Sequence, residues 1–406
     1  MKKIHLRVLL AVAAIVACAL LVVGCGGGGG TTGDAGEPGG AKTTLTIGFG
    51  GPLTQGDVAF GTGGQRAVQL AVSQANESQE AKDLGIEFKI LDGDDQSEAE
   101  KGVTAAQSFV SDRSLVGVVG HFNSTVSIAA SKVYNENNVV AISYGSTNPD
   151  LTLQGFKSIF RTCATDDYQG PVGADDAIAL GYKTVAIVDD SSPYGQGLVV
   201  EFEKKFVEAG GKVTSKQSTQ QKQNDFTAVV TKIKSEKPDV VYFGGTYAAD
   251  TGAGALFSKQ LKEGGVSVPV LGGDGLYADD YITQAGTASE GDLATCPGKP
   301  IEQLPKGQAF ADAYTAMFPG KEFGGFDAFA YDAANALINA VYKVADANGV
   351  DKVTSPAGKE ALIEAVAGTT LDGVTGDVQF DDKGDNVNRV ITLYKVIDGA
   401  WVAQEL

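Results

Sequence analysis

The chain has 406 residues, 43 % of them hydrophobic and 20 % charged, with a formal net charge of −18. A chain this acidic is poorly suited to nucleic acid or to an anionic membrane surface. Its length exceeds what one compact core needs, so two lobes are expected. Two histidines and four cysteines leave little material for metal or nucleophile chemistry.

Lys2, Lys3 and Arg7 precede an apolar run from Val8 to Val23, and the small Gly24 stands before Cys25, as at the end of a targeting segment. The stretch Val22-Val23-Gly24-Cys25 resembles a bacterial lipoprotein lipobox. That resemblance implies a signal peptide over residues 1–24, an acylated Cys25 as the mature N-terminus, and a location outside the cytoplasmic membrane. A transmembrane anchor or an ordinary signal peptide is the alternative, but the run is short for a span and turns at once to polar linker. Losing the three cations takes the net charge from −18 to −21. Residues 25–43 are glycine-rich and read as a flexible tether. No later apolar run is long enough to cross a bilayer, so the lipid is the expected anchor.

Short apolar runs then alternate with segments of helical period, the pattern of parallel sheets covered by helices. Strands are expected at Leu45 to Phe49, Ile86 to Leu91, Val116 to Val119, Val139 to Ser143, Thr184 to Val188, Val240 to Phe243 and Val268 to Leu271. Val68, Ala71, Val72 and Ala75 share one helical face, as do Phe226, Val229, Val230 and Ile233. Loops rich in Gly, Ser, Asn and Asp follow the strands, where ligands bind in open α/β sheets.

Catalytic patterns are missing. Once the leader carrying His5 is removed, His121 is the one histidine left, and there is no HExxH, GxSxG or GxxxxGK[ST]. His121 reads as a hydrogen-bonded loop residue rather than a base. Asp92, Asp94 and Asp95 read as a solvated acidic turn, since Ser97 and Val103 stand where a calcium loop needs glycine and glutamate. No cofactor, metal or enzymatic activity is expected. Cys18 leaves with the leader and Cys25 takes the lipid. Cys163 and Cys296 are then expected to pair as a disulfide in an oxidising compartment, with two buried free thiols as the alternative.

In chain order, Gly51-Pro52-Leu53-Thr54 to Phe60-Gly61, Gly120-His121-Phe122-Asn123-Ser124, Ser143 to Pro149, Gln169-Gly170-Pro171, Ser192-Pro193-Tyr194-Gly195-Gln196-Gly197, Val241-Tyr242-Phe243-Gly244-Gly245 and Gly272-Gly273-Asp274-Gly275 resemble the branched-chain amino acid binding proteins of ABC importers. These belong to the type I periplasmic binding protein superfamily. The resemblance runs from Leu45 to the C-terminus. It implies two Rossmann-like α/β lobes with parallel-rich sheets joined by a three-segment hinge, one lobe over 44–162 and 298–376, the other over 163–297 and 377–406. Cys163 and Cys296 would then lie in neighbouring hinge segments.

The resemblance further implies that Ser124 and Thr147, with backbone groups of Gly145 and Ser146, hold a ligand carboxylate. Asp274 would accept from the α-ammonium, and Phe60, Tyr194 and Tyr247 would form the walls. The expected ligand is an amino acid, branched-chain or otherwise aliphatic, handed by a monomeric, lipid-anchored binder to an ABC permease. Phe60 stands where leucine and isoleucine binders tend to carry tyrosine, and the Gly245–Ala248 loop is one residue longer. An amide or organic acid ligand, or a role in an extracellular sensor, therefore stays open. A surface hydrolase is disfavoured by the missing nucleophile motifs.

Overall fold

The computed structural model describes residues 42–406. The leader, Cys25 and nearly all of the tether lie outside the described residues. No helix among the described residues is long and apolar enough to cross a membrane.

The first sheet comprises β1 (Thr43–Gly51), β2 (Ile86–Asp94), β3 (Leu115–Val119), β4 (Ala141–Ser143) and β5 (Ile159–Arg161). Its strands are parallel in the order β2-β1-β3-β4-β5. The second begins with β6 (Thr184–Asp189), β7 (Lys212–Ser218), β8 (Val240–Gly244), β9 (Val270–Gly272) and β10 (Leu293–Pro297). After a small hairpin of β11 (Leu371–Asp372) and β12 (Asp377–Val378), β13 (Ile391–Ile397) and β14 (Ala400–Ala403) extend this sheet antiparallel. Its order β7-β6-β8-β9-β10 repeats that of the first sheet, so the molecule has two doubly wound α/β lobes.

Each of the seven expected strands falls on an observed one. Strands such as β3 and β8 are buried at every residue, because helices cover both faces of a parallel sheet. β7, with the sequence KVTSKQS, is a polar edge strand with no apolar run to announce it. Val68, Ala71, Val72 and Ala75 are buried on the helix Val58–Glu77, which packs against the alanine-rich helix Asp327–Asn348. Val229, Val230 and Ile233 are the buried residues of Thr227–Glu236.

Three segments join the lobes: one after β5, one after β10, and one before β13. Hydrogen bonds tie them together. The Asn386 side-chain amide donates to Thr162 O at 2.8 Å, and Gly298 N donates to Val390 O at 2.8 Å. Residues 377–386 were expected in the second lobe, yet β12 pairs with β11 and Asp385 bridges Arg161 at the end of β5. Phe380 packs on Phe160 with ring centroids 5.0 Å apart, which buries this segment against the first lobe instead.

The expected disulfide is absent. Cys163 and Cys296 are buried free thiols. Cys163 Sγ is directed at Ser146 O, 3.8 Å away. Cys296 sits on β10 opposite Thr392, against the backbone of Gly325. Burial holds both thiols far above the ordinary thiol range, so they are protonated and unreactive.

Candidate functional site

In both lobes the chain reverses direction about the first strand of the sheet, and the crevice outside the carboxyl ends of the strands is where such sheets bind ligands. The two crevices face each other. Gly56 N donates to Asp250 Oδ2 at 2.9 Å, Thr251 Oγ1 to Asp57 Oδ1 at 3.1 Å, and Asn148 Nδ2 to Pro193 O at 2.6 Å, each across the lobe boundary. The lobes meet over a cavity lined among others by Phe122, Ser124, Gly145, Tyr194 and Asp274. A larger void lies beside the second hinge segment, walled by Tyr277, Phe329, Tyr394 and Trp401. None of its lining side chains carries a buried polar atom without a partner, so the chemistry points to the cleft between the lobes.

Ser124 opens the helix Ser124–Glu136, where Val126 N and Ser127 N donate to Asn123 O and the N–H groups of Ser124 and Thr125 are left to favour an anion. Its Oγ accepts from Asn148 N at 3.3 Å. Thr147 is fully buried and its hydroxyl has no partner. Gly145 and Ser146 play a different part from the one expected. Their N–H groups are directed at Ser143 Oγ, at 3.4 and 3.0 Å, and the Ser146 hydroxyl is taken up by the carbonyls of His121 and Phe122. They shape the loop, leaving Ser124 and Thr147 as the free hydroxyl groups. Gly145 is required for close approach, since a Cβ there would come within 2.2 Å of the Phe122 ring.

This loop is held from behind by Arg161, a residue that sequence reasoning missed. Its side chain is fully buried; Nη1 donates to Ser146 O and Asn148 O at 2.7 and 2.8 Å, Nη2 to Thr152 Oγ1 at 2.8 Å, and Nε to Asp385 Oδ1 at 2.6 Å.

Asp274 follows β9 and is buried, with Oδ1 accepting from Tyr194 OH at 3.1 Å. Burial pushes its carboxyl up to about 6. Gly275 N also donates to the Tyr194 oxygen at 3.0 Å, so Tyr194 fixes the Asp274 loop as well as lining the cavity. Asp166, at the start of the helix Asp166–Ala179, was also missed. It is fully buried, neither carboxylate oxygen has a partner, and burial, reinforced by the negative charge of Asp274, holds it well above the carboxylate range. Gln169 Oε1 is orphaned too. The Thr-Asp-Asp-Tyr-Gln run starting at Thr165 could have been read as a helix start aimed into the cleft.

Phe60 and Tyr247 meet across the cleft, edge to face at 5.6 Å. Phe60 also stacks on Phe122 at 4.4 Å and packs on Phe326 at 5.7 Å, so this wall is an aromatic cluster of which Phe122 and Phe326 were not foreseen.

His121 is the hydrogen-bonded loop residue expected, but Asp95 is not solvated. Asp95 Oδ2 lies 2.6 Å from His121 Nδ1, and Tyr134 OH lies 2.8 Å from Nε2, all three residues being buried. Asp94 accepts from Leu53 N at 2.8 Å and steadies the turn after β1.

A family model described as "Periplasmic binding protein" matches residues 44–400. The Leu/Ile/Val-binding protein homolog 1 of Brucella melitensis is 32 % identical over 367 residues, covering 89 % of this chain and 93 % of the relative. The leucine-, isoleucine-, valine-, threonine- and alanine-binding protein of Pseudomonas aeruginosa is 32 % identical over 357 residues, covering 87 % and 90 %. Among solved structures, the leucine binding protein LivK of Thermotoga maritima superposes with a TM-score of 0.79 at 28 % identity, covering 89 % of this chain and 98 % of that one. With the family match spanning nearly all of both lobes and the cleft between them, this chain belongs to the periplasmic binding proteins, a family of solute binders rather than enzymes.

Proposed function

We propose that this protein captures a free amino acid between its lobes and presents it to an ABC permease. The observation that carries the reading is the pairing of opposite needs within one closed cleft. Buried Asp166 and Asp274 form no ion pair, while Thr147, Ser124 and a helix N-terminus offer donors to an anion. A zwitterionic α-carbon fits between them, its carboxylate on Ser124 and Thr147 and its ammonium on Asp274 and Asp166. Phe60, Tyr194 and Tyr247 enclose it, the last two from the second lobe. The names of the relatives favour leucine, isoleucine, valine and similar ligands. Contacts from both lobes form in the closed arrangement, so ligand shifts the population toward closure.

Cys25 as a lipid anchor and a monomeric chain complete the proposal. Calorimetric titration with single amino acids, after unfolding and refolding to strip any bound ligand, tests it. One-to-one binding abolished in Asp274→Ala supports the reading; silence with every amino acid rejects it. Retention of Cys25→Ala in the membrane fraction would reject the anchor.

A further inference from the structure

The void beside the second hinge segment, of ≈ 400 Å³, has the size of a small-molecule site, roughly 300–1,000 Å³, and the mostly apolar lining that such sites share. Its walls come from both lobes, with Phe323 and Phe329 on the first and Tyr277, Tyr394 and Trp401 on the second. The second-lobe rings form a fixed wall. Tyr277 packs on Tyr394 at 4.2 Å and on Trp401 at 5.6 Å, and Trp401 Nε1 donates to Ala278 O at 3.1 Å. Two glycines keep the gap open. A Cβ on Gly325 would come within 2.8 Å of the Tyr277 ring, and one on Gly298 within 3.1 Å of the Phe329 ring.

The lining selects the chemistry of an occupant. Lys299 and Glu302 are the charged residues around the void, of opposite sign, and both are exposed. An ion taken in among the rings would lose water without gaining a buried partner, which is costly. An aromatic ring, in contrast, gains from offset and edge contacts with the walls beyond what its buried area contributes.

The void lies behind the cleft. Asp274 lines the cleft, and Tyr277, in the same turn, donates its N–H to Asp274 O at 2.9 Å and lines the void. On the first lobe Phe326 belongs to the aromatic cluster at the cleft, and Phe329, 5.9 Å from it, lines the void. An occupant thus touches the reverse side of both cleft walls while the lobes are in contact.

We propose that this void is a second binding site, for an uncharged aromatic small molecule, and that its occupant holds the lobes together and raises affinity for the ligand of the cleft. The site stands on its own geometry, and its effect on the cleft rests on the reading of the cleft as an amino-acid site.

Trp401 is the one tryptophan of the chain, so its fluorescence reports on this void. Benzyl alcohol, p-cresol and benzamide are titrated into the purified full-length chain stripped of bound ligand. At least one is expected to give a saturable change in tryptophan emission. That binding is expected to weaken by about tenfold or more in Ala328→Leu, which fills the void, and in Val402→Arg, at an exposed position on its rim. A saturating probe is expected to tighten amino-acid binding, read by calorimetry, by about fivefold or more. No saturable change with any of the three probes, or a change that persists in both folded variants, overturns the site. Probe binding with amino-acid affinity unchanged overturns its effect on the cleft. If the chain binds no amino acid, the proposed function falls while the fluorescence titration still decides the site.

Discussion

Two sets of aspartates are equally buried in this protein and differ in what surrounds them. Asp95 is matched by His121, which in turn meets Tyr134, and Asp385 is matched by Arg161. Asp166 has no hydrogen-bond partner for either oxygen, and Asp274 meets only uncharged side chains, Tyr194 and Gln169. The first set is structural: its groups are satisfied within the fold, and replacing them disturbs packing. The second is left incomplete by the fold, and in the proposed function a ligand completes it. Burial does not separate the two sets; the inventory of partners does.

Breaking the first set should cost stability. Arg161→Met leaves the buried Asp385 without its cation and strips two loop carbonyls of their guanidinium donors, with an expected loss of about 3–5 kcal/mol, read by denaturant unfolding. Because Arg161 holds the Thr147 loop, ligand affinity should fall as well. Breaking the second set should cost binding instead. Asp274→Asn removes the acceptor facing the ammonium and should weaken binding by about 2–5 kcal/mol, read by calorimetry. The ligand-free melting temperature should stay level or rise, because a buried charge without a cation is removed. An Asp274→Asn protein that binds normally but melts lower would place Asp274 in the first set.

Tyr134→Phe sharpens the contrast from the other side. It strips His121 of one partner and should lower stability by about 1–3 kcal/mol with affinity unchanged. The pH response separates the two sets further. In the empty fold Asp274 is raised from 3.8 to about 6, so its contribution to stability is complete below about pH 3.8 and is lost as pH rises through 6. A bound ammonium favours the ionised form. The ligand-induced rise in melting temperature should therefore grow as pH increases through 6, and affinity should fall by up to about tenfold per pH unit below it for each carboxylate involved. The smallest effect is expected at the cysteines. Reductant should leave the melting temperature of the 42–406 fold unchanged, and Cys163 and Cys296 should both titrate as thiols on unfolding without reduction. One missing pair of thiols would restore the disulfide.

The loops of the candidate site were legible wherever one of its side chains follows an apolar strand within a few residues. Ser124 after β3, Thr147 after β4, Tyr194 after β6, Tyr247 after β8 and Asp274 after β9 could all be placed that way, helped by the resemblance. Asp166 escaped because a pair of aspartates opening a helix ordinarily caps it in water. Its burial depends on the helix Pro193–Glu208 packing close enough that a Cβ on Gly197 would lie 3.6 Å from Asp166 Oδ2. Arg161 escaped because its four partners come from residues 146, 148, 152 and 385. β7 lacked an apolar run to mark it, and residues 377–386 carry too little periodicity to show which lobe they join.

From the sequence alone came the alternation of strands and helices, the two-lobed α/β organisation and the loops at the carboxyl ends of the strands. These are consequences of hydrophobic period and of local turn chemistry, which neighbouring residues settle among themselves. Tertiary structure decided which carboxylates stay without partners, that the backbone of Gly145 and Ser146 serves its own loop, and that Cys163 and Cys296 stay unbonded. Desolvation and hydrogen-bond satisfaction depend on groups brought together from distant parts of the chain, and no local pattern records them.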